Sequence, residues 1–534
     1  MAQVRQTLLI LILAGALVEC VSGTIPRFFP DDPIQAVPPP LPVKKPAKQQ
    51  INEAFDFFVQ SWNDERRPPS PAGAINTIGE VPNSEWFTNR HGLHRMSRQE
   101  LQRGSSSKVA VPPFTVTSGK EEGITPGFVM QDAEGKRYFV KCDPSSNPGL
   151  ASGADVIVSK FLYAIGYNTP KNEILDLKLS DLRLSDTATI ALRNGRSRTM
   201  TWGDVKDSVK LAAHRKDGSF RVVASLAIEG HGIGPFRFEG TRWDDPNDIV
   251  PHEDRRDLRG LYVFSAWLNN TDAKAGNSLD TVVEQKGIHF IRHYLLDFGS
   301  ALGSDGDAPK DPRFGYAYML PPITDQLKRG FTFGLVPAPW ERVHYPDLPS
   351  IGNIESQLFD PDNWKPDYPN PAFLSRQPDD DFWAAKIVMA FTDDDIRAIV
   401  ATAKFSDPAS AEYLITILAQ RRNKIGRTFF SKLLPLDQFR IENGELLFDD
   451  LAVSNGFVPP RNYEVRWYRF DNFTQQSNYI TGPSTRLPDE AAQASAGTYF
   501  SVVINAPGSQ LKPVTIYFRK DRSEYKLVGV DRAW

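Results

Sequence analysis

Residues 266–277 read Ala-Trp-Leu-Asn-Asn-Thr-Asp-Ala-Lys-Ala-Gly-Asn, and residues 294–299 read Tyr-Leu-Leu-Asp-Phe-Gly. In the first stretch an apolar run ends at Trp267-Leu268 and gives way to Asp272, Lys274 and Asn277. A carboxylate, a cation and a neutral oxygen ligand thus fall within one short loop. In the second, the apolar strand Tyr294-Leu295-Leu296 ends on Asp297, which would aim a second carboxylate at the same cleft. Upstream, Lys141 closes the strand candidate Tyr138-Phe139-Val140, after a loop punctuated by Gly119, Gly123 and Gly127. Glycines so placed let a backbone approach a phosphate closely. Phosphoryl transfer needs a cation on the nucleotide phosphates, a carboxylate to orient the attacking hydroxyl, and metal ligands facing the phosphates. Each signal alone is ordinary: Asp297-Phe298-Gly299 is a common strand-to-turn junction, Lys141 a solvated strand end, and Asp272 to Asn277 a helix-terminating turn. Their order along the chain carries the reading.

Working outward, Phe114 to Thr117, Phe128-Val129-Met130 and Tyr138-Phe139-Val140 are expected strands, the last two joined by the turn Asp132-Ala133-Glu134-Gly135. Residues 151 to 166 have the spacing of an amphipathic helix, with Val156, Ile157, Phe161, Leu162 and Ile165 near one face. Strands follow at Ile174 to Leu179 and Val222 to Ile228, separated by a polar insertion. Residues 253 to 268 begin acidic and run apolar, as a helix does. Two further helices are expected over about 379 to 403 and 409 to 433, the second opened by Ser406-Asp407-Pro408. Beyond about 440 the pattern shortens to strands at Tyr463 to Phe470, Tyr499 to Ile504, Val514 to Phe518 and Tyr525 to Val530.

Asp272-x-Lys274-x-x-Asn277 resembles the catalytic loop of Ser/Thr protein kinases, and Leu296-Asp297-Phe298-Gly299 resembles their metal-binding motif. The resemblance spans about residues 115 to 435. It implies an α+β fold, a two-lobed protein-kinase-like core, here followed by a C-terminal β domain. It also implies that Lys141 binds the phosphates of ATP, that Asp272 is the catalytic base, that Lys274 steadies the transferring phosphate, and that Asn277 and Asp297 hold Mg²⁺. Gly119, Gly123 and Gly127 would lie over the nucleotide. In character the chain is similar to divergent kinases: the HipA type, the phosphatidylinositol 3/4-kinase-like group and the secreted kinases. Three phrases, Trp86-Phe87-Thr88-Asn89-Arg90, Thr125-Pro126-Gly127-Phe128 and Ala266-Trp267-Leu268-Asn269, also resemble a set of exported bacterial proteins. The departures are specific. Asn270 stands where many kinases carry His, the glycine loop is not Gly-x-Gly-x-x-Gly, and the helix after Lys141 offers Asp155 instead of Glu. Asp155 is either the ion-pair partner of Lys141 or a helix N-terminal acid favoured by the dipole.

Other constellations read as structural. His289 and His293 lie on a strand-like segment and are expected to be satisfied side chains, not metal ligands. Asp244-Asp245-Pro246-Asn247-Asp248 lacks the spacing of a calcium loop. Gly230-x-Gly232-x-Gly234 opens no helix directly and reads as a hinge between lobes, not a dinucleotide fingerprint. Neither a serine nucleophile elbow nor His-Glu-x-x-His occurs.

With 534 residues, more than one domain is the expectation. A formal net charge of -3 gives no whole-protein reason for nucleic-acid binding. Arg5, the apolar stretch Leu8 to Val18 and the small residues Val21-Ser22-Gly23 have the form of an export signal, too short to span a bilayer comfortably. Membrane contact would come only through an uncleaved N-terminus or one lipidated at Cys20. Cleavage after Gly23 leaves Cys142 as the last cysteine, which excludes an intramolecular disulfide and a cysteine-built zinc cage.

The domain expectation is a signal over 1–23, a proline-rich linker over 24–50, an extension over 51–113 anchored by Trp62 and Trp86, lobes over 114–240 and 241–435, and a β domain over 440–534. The expected function is Mg²⁺-dependent phosphoryl transfer from a nucleotide to a protein or small-molecule hydroxyl, outside the cytoplasm in the periplasm or beyond. The alternative is a non-catalytic envelope-binding protein on the same scaffold. N-terminal sequencing of the protein made in a secreting host should find Thr24 or a close neighbour first; an intact Met1 on cytoplasmic protein would overturn the export expectation.

Overall fold

The computed structural model describes residues 25–63, 65, 67–120, 126–192, 196–210, 212–320 and 338–534. The leader and Gly123 lie outside them. The first lobe is a seven-stranded sheet of β1 (Phe114–Gly119), β2 (Gly127–Gln131), β3 (Arg137–Cys142), β4 (Asn172–Leu177), β5 (Leu182–Ala191), β6 (Ser197–Thr199) and β7 (Phe220–Leu226), in the order β4-β7-β3-β2-β1-β5-β6. Neighbours are antiparallel except β1 and β5. Alternation in Tyr138, Val140 and Cys142 buries one face of β3, while Phe139 stays half-exposed on the other. The register sets Gly127 opposite Lys141, and a Cβ at Gly127 would collide with the carbonyl oxygen of Val140. The polar insertion after β4 thus holds two strands of this sheet and a helix over Trp202–Lys210.

Helix α1 (Glu53–Ser61) precedes the sheet, and α2 (Leu150–Ile165) follows β3. All but one residue of α2 are buried, as expected of a helix covered on every side. Asp143 fixes its start, its carboxylate accepting from Gly149 N at 2.9 Å and Ser152 N at 2.8 Å. The second lobe is built on α3 (Arg256–Trp267), α4 (Pro378–Met389), α5 (Asp393–Val400) and α6 (Pro408–Phe429). Trp267 is fully buried and donates Nε1–H to the Leu418 carbonyl at 2.9 Å, which locks α3 to α6. A small sheet of β8 (His231–Gly232), β9 (Ser278–Gln285) and β10 (Ile288–Leu295) sits beside these helices. The β9–β10 hairpin turns through Lys286-Gly287, both at positive φ. The core is therefore α+β, with a β lobe, a helical lobe and a C-terminal β domain.

That domain contains the pair β11 (Leu436–Glu442) and β12 (Glu445–Asp450). It also contains a five-stranded sheet of β13 (Glu464–Phe470), β14 (Ser477–Thr481), β15 (Tyr499–Asn505), β16 (Val514–Asp521) and β17 (Glu524–Arg532), ordered β14-β13-β15-β16-β17. Its core centres on Trp467, Val502, Ile504, Ile516 and Phe518. The described part of the proline-rich stretch carries no helix and no extended ladder, yet it is pinned along its length. Phe28 is buried against Phe470 and Tyr517, Val43 N donates to the His289 carbonyl at 2.9 Å, and Gln49 N to the Ile233 carbonyl at 2.7 Å. It is a strap and not a loose linker.

Several expectations need correction. The segment 379–403 is not one helix. Thr392 breaks it by capping α5, its hydroxyl accepting from Asp395 N while the Asp395 carboxylate accepts from Thr392 N. The 51–113 extension contains α1 and a short helix over Arg98–Arg103. Trp62 is no anchor, being 75% exposed, whereas Trp86 is buried and stacked on His293 at 3.5 Å between ring centroids. His293 also pairs with Asp280 at 2.7 Å, while His289 is exposed. Gly230 and Gly234 are packing glycines more than a hinge: both have positive φ, and a Cβ on either would meet the backbone at Val282 or Gln49.

Phe28→Ala should lower the stability of the C-terminal domain by about 3–5 kcal/mol, the usual cost of removing a buried aromatic ring. Denaturant unfolding followed by tryptophan fluorescence, which Trp467 reports, would show the shift; an unchanged midpoint would mean the strap is not fastened there.

Candidate functional site

Lys141 is carried to the mouth of the cleft by β3, with its side chain running from the strand toward α2 and the end of β10. Its Nζ lies 3.3 Å from Asp155 Oδ2 and 2.6 Å from Asp297 Oδ1. One ammonium therefore joins three segments: a strand, a helix and the turn after β10. Of the two readings open for Asp155, the structure contains the ion pair. Asp155 lies in the second turn of α2, buried, and its Oδ1 also accepts from Phe298 N at 2.8 Å. It holds both the lysine and the backbone of the Asp-Phe-Gly turn. Asp297 is different, with a side chain 55% exposed and a left-handed φ of 52° that turns the carboxylate off the strand. A non-glycine residue in that region is held there by its surroundings.

The second half of the site is the loop after α3. Asn277 donates Nδ2–H to the Asp272 carbonyl at 2.8 Å and to Asp272 Oδ2 at 2.9 Å. Lys274 Nζ sits 3.1 Å from Asp272 Oδ1. The Leu296 amide donates to the Asn277 carbonyl at 2.9 Å, tying this loop to the residue before Asp297. Across the loop, Asp367 N donates to the Thr271 carbonyl at 2.8 Å, and Lys310 pairs with Asp367 at 2.8 Å. Lys141, Asp155, Asp297 and the loop of Asp272, Lys274 and Asn277 thus come from four segments of the sequence to one site, the loop close enough for the charge of Lys274 to act on Asp297. Gly119 ends β1 and Gly127 opens β2, and Lys120 N donates to the Gly127 carbonyl at 3.3 Å.

The electrostatics separate the carboxylates. Burial pushes the Asp155 carboxyl up, against the pull of Lys141. Partial burial also acts on Asp297, but the charge and hydrogen bond of Lys141 outweigh it and hold this group below the usual carboxylate range. Burial raises Asp272, with Lys274 opposing. For Lys141 and Lys274 burial works against the charge, yet their acidic neighbours win and keep both firmly protonated. An ionised, open carboxylate at Asp297 and an amide oxygen at Asn277, whose nitrogen is turned to Asp272, form a hard oxygen donor set. Such a set suits Mg²⁺, which takes one or two protein oxygens and completes its shell with water and phosphate. Among the described residues no cluster of three His, Cys, Asp or Glu could hold a metal by itself.

Two residues at the site escaped the sequence reading. Lys120 stands beside Gly119 at the start of the loop, and burial together with the charge of Lys141 pushes its ammonium down to about 8. In the sequence it opens the run Lys120-Glu121-Glu122, which reads as a solvated turn; its adjacency to the glycine loop was the available signal. Glu53, on α1, reaches Lys274 with Oε2 at 3.3 Å and lies against Gly276. More than 200 residues separate it from the loop it touches, and nothing local marks it.

No family model matches the chain, and no curated protein matches it in sequence. Among solved structures, it is similar to the proinflammatory kinase CtkA of Helicobacter pylori, at 13% identity over 56% of this chain and 90% of that one, with a TM-score of 0.29. It is also similar to the Golgi casein kinase with Mn/ADP bound, at 9% identity over 74% and 94%, with a TM-score of 0.30. A further structure of the Golgi casein kinase gives 10% identity, the same coverage and a TM-score of 0.29. At this level of superposition the likeness is one of outline, and the chemistry rests on this chain's own residues.

An anion bound beside Lys120 favours its protonated form, so phosphate-bearing ligands should bind less tightly as pH rises through about 8. Titration calorimetry with ADP between pH 6.5 and 9.5 would measure this decline, and Lys120→Met should bind more weakly at pH 7 and lose the pH dependence. An equal decline in the variant would exclude Lys120.

Proposed function

We propose that this chain is a divergent kinase that transfers the terminal phosphoryl group of a nucleotide triphosphate to a hydroxyl acceptor. The observation that carries the reading is the double pairing of Lys141 with buried Asp155 and open Asp297, set against the Asp272–Asn277 loop. In this assignment Lys141 and Lys120 neutralise the nucleotide phosphates. Asn277 and Asp297 would hold Mg²⁺, which offsets phosphate charge when bound. Asp272 orients the acceptor hydroxyl and takes its proton as the acceptor oxygen bonds to phosphorus. The bond from phosphorus to the bridging oxygen breaks, and the nucleoside diphosphate departs with that electron pair. Burial raises Asp272, which makes it the better proton acceptor of the two aspartates. Lys274, paired with Asp272, follows the charge onto the transferred group. Assignment to the HipA or phosphatidylinositol 3/4-kinase type rests on the motif resemblance alone, and export on the leader within residues 1–23.

Turnover can be read as nucleotide hydrolysis by the purified chain with Mg²⁺. Asp272→Asn should keep nucleotide binding and lose at least ~100-fold in turnover, the scale of a removed acid or base. Asp297→Asn should weaken Mg²⁺-dependent nucleotide binding itself, because it removes the charge opposite the metal. A parent protein that binds no nucleotide with or without Mg²⁺ would sink the kinase reading and leave the non-catalytic binding protein in its place.

A further inference from the structure

Away from the cleft, a cavity of about 430 Å³ opens where the N-terminal extension, the start of β3, the segment between α2 and β4, the end of β7 and the strand β10 meet. None of Lys141, Asp272, Asn277 and Asp297 lines it. Six cations do, Arg90, Lys108, Lys136, Arg137, Lys171 and Arg292, against one lining carboxylate, Glu229. Pro170, Leu226, Ala227 and Ile228 give the same cavity an aliphatic wall. Its volume falls within the range of ordinary small-molecule sites, about 300–1,000 Å³.

The cations reach solvent and are not used up by acids. Lys108 and Arg137 are exposed, and Arg90, Lys136 and Arg292 are half-buried. Lys108 pairs with Glu229 at 3.1 Å, Lys136 with Glu134, and Lys171 with Glu173 at 3.9 Å. The first pair is open to water on both sides, so it exchanges partners at little cost. Arg90 donates to the Tyr163 and Tyr167 carbonyls at 2.8 and 3.1 Å. Arg137 and Arg292 form no ion pair among the described residues. Their guanidiniums lie 5.0 Å from the Phe139 ring and 5.5 Å from the Phe290 ring, and Arg292 also bonds the Tyr294 hydroxyl. Asp132 is a fourth acid whose charge acts on the group, through Lys136. Against these four carboxylates the six cations keep an excess of two positive charges. The like charges press on one another: burial and Lys136 lower the Lys171 ammonium while Glu173 opposes them, and burial with the charge of Lys171 pushes Lys160 down to about 8. A concave surface of one sign concentrates the opposite ion.

We propose that this cavity is a second ligand site, separate from the kinase cleft, that takes a small soluble phosphomonoester. The phosphate dianion matches the two uncompensated charges, and Arg137 and Arg292 offer planar guanidiniums suited to its oxygens. The organic body packs on Pro170, Leu226 and Ile228. Arg137 opens β3, which carries Lys141, and Arg292 lies on β10, which leads to Asp297. A ligand held by both arginines therefore ties together the strands that supply the two ends of the Lys141–Asp297 pair.

The test is titration calorimetry on the full chain with phenyl phosphate as probe and benzoate as a monoanion on the same body. Saturable phenyl phosphate binding is expected, at least ~10-fold tighter than that of benzoate, and weakening as NaCl rises from ~50 to ~500 mM. Arg137→Gln and Arg292→Gln should each lower the affinity at least ~10-fold, the scale of one lost charge-assisted hydrogen bond. Both side chains reach solvent, so neither change should disturb the fold. Lys120→Met, a change within the cleft, should leave the affinity as it is, whether or not the cleft transfers phosphate. Absence of saturation by ~10 mM, the weak limit for a specific small ligand, would overturn the proposal. So would parent-like affinity in either arginine variant, benzoate binding as tightly as phenyl phosphate, or a loss in Lys120→Met as large as in the arginine variants. Displacement of the probe by phosphatidic acid vesicles would overturn it too, by giving the site to a membrane.

Discussion

The pairing of Lys141 with two carboxylates of unlike exposure is the contact on which the two-lobed arrangement turns. Asp155 is buried and spends its second oxygen on the Phe298 amide, so the lysine is fixed to α2 and the Asp-Phe-Gly turn is fixed to the same helix. Breaking a buried pair strands a charge, which costs far more than an exposed pair returns. Asp297 is left as the polar group able to change partners without uncovering a buried charge.

Around that contact the structure is arranged by covering surfaces. The seven-stranded sheet is covered at its β4–β7 edge by α2, which is buried nearly all round and faces the helical lobe on its other side, while the helix over Trp202–Lys210 packs on β2. α3 in turn is clasped by α6 through Trp267, and by Arg421, which donates to the Trp267 carbonyl at 3.0 Å and the Ala266 carbonyl at 2.5 Å. The Ala266 carbonyl also accepts from Asn269 N at 3.3 Å, so Arg421 matters most to the Trp267 carbonyl at the helix end. The loop bearing Asp272 therefore leaves a helix end that is held on all sides.

Much of the core was legible because its signals are local. Asp272, Lys274 and Asn277 lie within six residues, Asp297 follows an apolar strand, and α2, α3 and α6 show their faces by periodicity. What stayed hidden depended on distance or on unread turn chemistry. Asn443-Gly444, both at positive φ, joins β11 to β12 and is a strong hairpin signal that was passed over. Trp62 looks like an anchor by residue type alone, yet it is 75% exposed. Glu53 and Lys120 carry no motif, and only the folded chain brings them to the site. The break at Thr392 was readable from its capping pattern, Thr followed three residues later by Asp, but the apolar periodicity on either side masked it.

The strap has a consequence for how the molecule is made. Arg27 and Phe28 sit among residues of β13, β15, β16 and β17, and the hydrogen bond from Arg27 to Tyr517 spans 490 residues of sequence. The strap leaves the ribosome well before its anchorage is made. The fastening forms only after β13, β15, β16 and β17 have emerged, even if each lobe folds earlier. The stretch must remain extended and unclaimed until those strands have been made, and its prolines suit it to that wait, because they disfavour both helix and premature strand pairing.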